Sequence, residues 1–568
     1  MKSLFLFLMM FLTALSPSAS ETVIVVDDRA AIPSERKAAE VLRKYLALMT
    51  GREVPIRSEI PEEEVSVILV GQNRKASELT GIADFSSLAP DEIILKSAGN
   101  VLVVVGDRPR GTLYAAYELL ERLGVNFWTQ SETETPTCET VDLSGWDLRY
   151  APGIAIRDIG IHGLCWGRPD FAAEMRANGS GSAAKTEEFG GRVRTLGFAH
   201  TFEKLFPLHE LLETHPEWTS MVDGKRGGRQ LCLSNPELRR EFLRRTREWL
   251  DANPGTTVVS LSQNDTGTGY CSCPECEKLA EREQGRQSGV LMDFLNEIAE
   301  GLEESHPGVM IETLAYAYTV EPPLVTRPHK NIIVRLCVPG LARPLQEDPE
   351  QSRRINAWAE TAEHLAFWYY TACFKNYLLP TPNLLSLGED FRYFQKAKCY
   401  SVFVQGDAAS SDLGGDFQPL RAWLTTKLAW DPSRDPEELR AYFMNGYYGP
   451  AAPFLEEALR EVQREGEAAQ AAGVLSPWSE HSEWLSTETR LKCFRLGEKA
   501  AAAAGDDPVF AKRAACAAAS FCYAVLEDEN IRLHPGEYGF TPEELQGEGI
   551  EETQTGARND GTAGKNIH

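Results

Sequence analysis

A chain of 568 residues with 43% hydrophobic and 25% charged content is globular in composition and too long for one core, which predicts roughly two to four domains. Its formal net charge of −25 excludes the broad basic surface that a nucleic-acid or anionic-membrane partner requires, and no Lys/Arg cluster supplies one locally.

At the N-terminus Lys2 precedes an apolar run from Leu4 to Leu15, and Ser18-Ala19-Ser20 offers small residues for cleavage. That run is too short to span a bilayer, so residues 1–20 read as a secretory signal peptide. The expectation is an exported protein, periplasmic or extracellular. No later segment reads as long and apolar enough to cross a membrane, so no insertion is expected once the signal is removed.

Residues 21–147 predict a small α/β sandwich. Thr22–Val26 is a β-branched strand, and Ser34 is placed to cap a helix whose Leu42, Tyr45, Leu46 and Met49 share one face and which Gly51 ends. Val65–Val70 reads as a second strand, and Ile93–Lys96 with Val101–Val105 as a hairpin. A helix carrying Leu113, Ala116, Tyr117 and Leu120 closes at Gly124. No nucleophile with a base stands out here, so the unit reads as an accessory domain.

Residues 148–435 change to repeated strand and helix units. Candidate strands are Gly153–Ile159, Thr195–Thr201, Gln230–Leu233, Thr257–Ser262, Met310–Tyr316, Ile332–Leu336, Leu365–Tyr370 and Ser401–Gln405. Helical patterns such as Pro236–Ala252, Gly289–Ser305, Gln351–Ala362 and Leu384–Lys396 intervene. Eight strands over about 280 residues predict a (β/α)8 TIM-like barrel, with an open doubly wound sheet as the alternative. Beyond Asp431-Pro432 and Asp435-Pro436 the chain becomes rich in Ala, Glu, Leu and Arg, and residues 436–540 predict helices. Residues 541–568 are nearly devoid of apolar side chains and read as a disordered tail.

The chemistry of such a barrel belongs at the C-terminal ends of its strands. There the sequence places Arg157 and Asp158, then His200, then Gln263, Asn264 and Asp265. Glu312, Tyr316 and Tyr318 follow, then Trp368 and Tyr370, then Gln405 and Asp407. Carboxylates, amides and aromatic faces are what a sugar requires, because its hydroxyls take planar polar partners and its C–H faces pack on rings. Cleaving a glycosidic bond needs two carboxyl groups. Asp265, Asp407, Glu312 and Asp158 are the carboxyl groups placed to take part. Each has a plainer reading: Asp265 as a cap, Glu312 as half of a salt bridge, Asp407 as a turn residue, Trp368 and Tyr370 as barrel filling.

Twelve cysteines are present, and only Cys271, Cys273 and Cys276 have informative spacing. Three readings stay open: a structural zinc with a fourth ligand from elsewhere, one disulfide with a spare thiol, or a redox pair. No cofactor is required for the carboxylate chemistry.

The stretch Ser262-Gln263-Asn264-Asp265 before the cysteine trio, with Leu314-Ala315-Tyr316-Ala317-Tyr318, His215-Pro216-Glu217-Trp218 and Cys232-Leu233-Ser234-Asn235-Pro236, resembles bacterial proteins carrying the domain of unknown function 4838. The segments Ala38-Ala39-Glu40 and Asp107-Arg108-Pro109-Arg110-Gly111 are similar to the N-terminal domain of glycoside hydrolase family 67 α-glucuronidases and of β-hexosaminidases. The resemblance implies a glycosidase-like barrel behind a small α/β domain, acting on a glycan, with the general acid at the end of the fourth strand. Relatives carry a carboxylate in the eighth-strand motif where this chain has Val404. That departure leaves Asp407, Glu312 or Asp158 as the partner of Asp265, the general acid the resemblance implies, and favours the rival reading of a non-catalytic glycan-binding protein on a degenerate barrel; a zinc-dependent hydrolase is a second rival. Which glycan is cleaved, and the oligomeric state, are not encoded in any motif.

Overall fold

The computed structural model describes residues 21–62, 65–410, 414–476, 483–542 and 544–545. The signal-peptide expectation lies outside the described residues, as does nearly all of the predicted tail. The chain forms two compact units, one running up to Asn126 and including Glu134–Ala151, the other comprising Phe127–Thr133 and the chain from Pro152 onward. The C-terminal helices therefore belong to the same unit as the large sheet.

The first unit holds a six-stranded sheet. Its strands are β1 (Thr22–Val26), β2 (Ile56–Arg57), β3 (Ser66–Val70), β4 (Ile93–Ala98), β5 (Val101–Gly106) and β8 (Asp147–Tyr150), in the order β2-β1-β3-β5-β4-β8. The strands β6 (Asn126–Phe127) and β7 (Thr133–Glu134) pair separately. Helices Pro33–Thr50 and Gly111–Arg122 cover the sheet, and Gly51 ends the first at φ 66° as its sequence requires. Ser34 does not cap that helix. Its hydroxyl donates to Pro109 O (2.5 Å), and the Ile32 N–H finds its acceptor in Glu35 Oε2 (3.0 Å).

The second unit is built on a curled, all-parallel sheet of seven strands: β9 (Ile156–Gly160), β10 (Thr195–Leu196), β13 (Val258–Ser260), β14 (Met310–Ala315), β15 (Ile332–Pro339), β16 (His364–Tyr370) and β17 (Cys399–Gln405). Their order, β10-β13-β14-β15-β16-β17-β9, is the cyclic order of a barrel cut between its first and second strands. The predicted strand Gln230–Leu233 is not in this sheet. That segment ends an antiparallel hairpin of β11 (Thr219–Val222) and β12 (Lys225–Leu231), turned by Asp223 (φ 50°) and Gly224 (φ 73°), so where the sequence predicts an eight-stranded closed barrel the sheet is a curled seven-stranded half-barrel with a separate hairpin.

At the cut, Asn178 links the two sides, its side chain bonding the β9 side and its backbone carbonyl the β10 side. Asn178 is fully buried; its Oδ1 accepts the Arg157 N–H (2.8 Å), its Nδ2 donates to Ala155 O (2.9 Å), and its carbonyl accepts the Val193 N–H (2.8 Å) just ahead of β10. The bridging is amide to amide on both sides.

Alternation along the strands sorts the interior. Ile156, Val258, Ile333 and Ala366 pack together at one end. Above them Glu312 and Arg335 form an ion pair (Nη2–Oε2 2.6 Å), with the guanidinium 5.6 Å from the Phe198 ring and 5.9 Å from those of Trp368 and Phe403. Helices Pro236–Asp251, Gln287–Ser305, Pro349–Thr361 and Leu387–Lys396 stand outside, within a few residues of their predicted bounds. The C-terminal helices Ala452–Ala471, Thr487–Ala504 and Pro508–Leu526 follow. The last is long and apolar enough to cross a membrane, against the expectation from sequence; it is 39% buried, and its Phe521 packs on Phe417 (5.8 Å) inside the unit.

Between β16 and helix Leu387–Lys396 lies a fully buried carboxyl. Asp390 accepts the Tyr369 hydroxyl (2.5 Å) and the Leu345 N–H (2.6 Å), and burial pushes it up to about 7. The folded protein thus keeps this proton at a pH where the unfolded chain, with an ordinary Asp at about 3.9, has released it. The resulting stability is complete below the unfolded value and lost as pH rises through about 7. In urea titrations the wild-type midpoint should fall between about pH 5 and about pH 8 through this group, and Asp390→Asn should flatten that part of the slope.

Candidate active site

The open face of the cut barrel, where the strands end, gathers most of the polar residues singled out by sequence. β13 stops at Ser260, and Leu261 extends the ladder by donating its N–H to Glu312 O (2.8 Å). Gln263 and Asn264 are buried. Gln263 Nε2 donates to Thr319 Oγ1 (2.8 Å), while Asn264 Nδ2 donates to Arg229 O (3.0 Å). Gln230 completes the brace: its Nε2 donates to Asn264 O (2.8 Å) and Thr266 Oγ1 (2.7 Å), and its Oε1 accepts the Asn264 N–H (3.1 Å). The amide nitrogens of both residues are thereby used in holding the third residue of the run, while Gln263 Oε1 and Asn264 Oδ1 have no partner among the described residues.

That residue, Asp265, is open to solvent, its side chain 58% exposed, with His200 Nε2 3.9 Å from Oδ1. His200 is fixed in turn. It sits in the left-handed region (φ 53°), its N–H donates to Ser262 Oγ (2.7 Å), and Nδ1 lies 2.8 Å from Gln263 O. A carbonyl accepts only from a protonated Nδ1, so in the neutral ring Nε2 is the bare nitrogen facing Asp265. Tyr316 stands beside both: its ring centre is 6.0 Å from that of His200, and burial, then the Asp265 charge, raise its phenol. Cys337, pushed up to about 12 by burial, and Tyr370 also feel the Asp265 charge. Trp368 donates from Nε1 to Gln405 Oε1 (2.7 Å) and its ring lies 5.9 Å from Tyr370. Asp265, His200, Tyr316, Trp368, Tyr370 and Gln405 thus border one mouth.

The other acidic candidates are placed differently. Glu312 is 2% exposed and committed to Arg335; burial raises its carboxyl, and the nearby Asp158 charge adds to this against the pull of Arg335. Asp158 accepts the Ser180 hydroxyl (2.8 Å) and the Gly181 N–H (3.1 Å), and burial holds its carboxyl high as well. The loop approaches so closely that a Cβ at Gly179 would collide with Asp158. Asp407 is 5% exposed, and its Oδ1 accepts the N–H groups of Ala409 (3.0 Å) and Ser410 (2.8 Å), which is the work of a turn. Its Oδ2 has no partner among the described residues, and burial raises the carboxyl. Tyr377 and Gln418 line a small cavity against it. Arg157 alternates out of the barrel: Nε donates to Arg176 O (2.9 Å), Nη1 to Ile154 O (2.7 Å), and the guanidinium lies 5.2 Å from the Trp430 ring, so it does not reach the mouth.

Two aromatic residues beyond those expected belong to this face. Trp166 follows the short helix after β9 and is 61% exposed, with Lys185 Nζ 6.0 Å from its ring. Tyr270, 42% exposed at the end of the Asp265 loop, lies 5.3 Å from Tyr318. A large exposed ring after a strand end was the available sign of both.

The cysteines converge more fully than their spacing showed. Cys232, just past β12, joins Cys271, Cys273 and Cys276; the four sulfurs lie within 4.8 Å of one another and all four residues are buried.

Residues 127–459 match the family model described as Domain of unknown function (DUF4838). No curated protein matches the chain in sequence. Among solved structures, a GH138 enzyme targeting pectin rhamnogalacturonan II aligns at TM-score 0.55 and 11% identity, over 92% of this chain and 90% of that one. A family GH115 4-O-methyl-α-glucuronidase with specificity for decorated arabinogalactans aligns at TM-score 0.57 and 14% identity, over 96% of this chain and 78% of that one. The fold is glycoside-hydrolase-like.

Proposed function

The chain belongs to the DUF4838 family, and from that membership, its fold and the apolar run Leu4 to Leu15 of its sequence we propose that it is an exported glycoside hydrolase with Asp265 as general acid. The observation that carries this reading is the placement of Asp265. It is the one carboxylate among those predicted that meets solvent at the strand ends, held there by buried amides and flanked by His200 and Tyr316. An acid in this position reaches a glycosidic oxygen, while Trp368, Tyr370, Trp166 and Tyr270 offer ring faces to sugar C–H groups.

For the second carboxyl, Asp407 is favoured over Glu312 and Asp158. Glu312 and Asp407 each keep one oxygen without a partner among the described residues, but Glu312 is ion-paired through Oε2 with Arg335 in the barrel interior and Asp158 is held by its loop, whereas no cation pairs with Asp407 among the described residues. The substrate proposed is a uronic-acid-bearing plant polysaccharide, in line with the glucuronidase and pectin enzymes that share the fold. Purified protein incubated with uronic-acid and hexosamine oligosaccharides, with product anomers followed by NMR, should release a uronic-acid sugar. Cleavage confined to hexosamine substrates would overturn the substrate class, and no cleavage of any would favour the binding-protein reading, which the buried state of Glu312 and Asp158 supports. Truncating a ring should act on binding: Trp166→Ala is expected to raise KM several-fold, by about 1 kcal/mol, with kcat nearly unchanged.

A further inference from the structure

We infer that Cys232, Cys271, Cys273 and Cys276 bind one zinc ion as a structural tetrathiolate that pins the loop carrying Asp265. The sulfur geometry is the first support. A tetrahedral zinc with legs of ~2.3 Å sets its sulfurs about 3.8 Å apart. Cys232 Sγ lies 3.6 Å from Cys273 Sγ and 4.0 Å from Cys276 Sγ, and no pair among the four is farther than 4.8 Å. A disulfide needs about 2.05 Å, and all four residues are free thiols.

The surroundings fit the anionic centre that four thiolates make of a divalent ion. Met221 N–H donates to Cys271 Sγ (3.3 Å) and Arg226 Nη1 lies 3.7 Å from the same sulfur; Ser234 Oγ is 3.0 Å from Cys276 Sγ. Cys273 immediately precedes helix Pro274–Arg282 and Cys276 lies in its first turn, so the positive end of that helix also faces the sulfurs. Four thiolates leave no open position for water, so this is a bracing site and not a catalytic one.

The consequence for Asp265 rests on the hydrolase reading above; the metal site itself does not. The cysteines join the β11–β12 hairpin to the segment after the loop. At the other end of the same junction Gln230 holds Asn264 and Thr266, and Ser220 Oγ donates to Gly269 O (2.8 Å). The hairpin that replaces a barrel strand is thereby riveted to the loop at both ends.

Elemental analysis of the purified full chain should find one zinc per chain, and replacement by cobalt should produce thiolate-to-cobalt charge-transfer bands. Cys232→Ser should lower retained zinc severalfold. If that variant fails to fold, the wild-type protein still decides: chelation should release four titratable thiols together with the zinc and speed amide exchange over residues 264–270. Folded wild-type protein that lacks metal, holds iron in its place, or has these cysteines in disulfides would overturn the inference. Zinc content is read without any glycan, so a protein that holds zinc and cleaves nothing would refute the hydrolase reading alone.

Discussion

Asp265→Asn is expected to lower turnover on the cleaved glycan by at least ~10²-fold while leaving the urea midpoint within about 0.5 kcal/mol of wild type. The two halves follow from the same placement. The carboxyl is exposed, and the amide keeps an oxygen that can accept from Tyr316, so it replaces the acid without a cavity or an orphaned partner. What the amide lacks is the proton that a leaving oxygen must receive. KM should change little, because removal of a group that acts in the transition state falls on kcat and kcat/KM together. A variant retaining near wild-type turnover would remove Asp265 from the mechanism. His200→Ala provides the contrast: it takes away a neighbour of the acid and not the acid itself, so its loss should be smaller than that of Asp265→Asn.

Arg335→Met carries the largest expected effect on stability, a loss of ~3–5 kcal/mol. The guanidinium is the ion-pair partner of Glu312 in the barrel interior and sits among Phe198, Trp368 and Phe403. Removing it strands a carboxylate that burial already drives toward its protonated form, with the Asp158 charge pushing the same way. The sign with pH follows. Glu312 in the variant takes up a proton that the unfolded chain, with an ordinary Glu at about 4.3, does not hold, so the variant should lose more stability as pH rises past neutrality than at about pH 5. Replacing both partners, as Arg335→Met with Glu312→Leu, should recover most of the loss, since neither member is then left charged and alone. Denaturant midpoints of the two variants at both pH values separate this from a simple packing defect, which would show no pH dependence.

Long helices, the buried β-branched strands and the C-terminal bundle were legible because each rests on periodicity within its own segment. Gln230–Leu233 was not. It has the weak apolar run of a short strand, while the stronger signal, Asp223-Gly224 between Thr219–Val222 and Lys225–Leu231, is a two-residue hairpin turn. The fourth cysteine was out of reach for a related reason. Cys232 stands 41 residues before Cys273 in sequence, and only that hairpin returns it to the trio. The run Gln263-Asn264-Asp265 is legible in sequence as a polar unit at a strand end, but the sequence does not divide its labour. Whether an amide faces a sugar or its own backbone depends on a partner such as Gln230, which arrives from another part of the chain. Arg157 and Asp158 show the opposite case, since strand alternation alone separates an outward arginine from an inward aspartate.

Asn178 gives the cylinder a mechanical character that a fully closed one lacks. A hoop of paired strands shares any expansion around its whole circumference, whereas a ring with a cut spreads at the cut. Here the two lips are joined through the loop at Asn178–Gly181, which bonds to Arg157 and Asp158 on one side and to Arg192 and Val193 on the other, facing seven-residue pairing between β15 and β16 on the opposite wall. The place where a change of curvature costs the fewest strand-to-strand hydrogen bonds therefore lies between β9 and β10, beside Asp158.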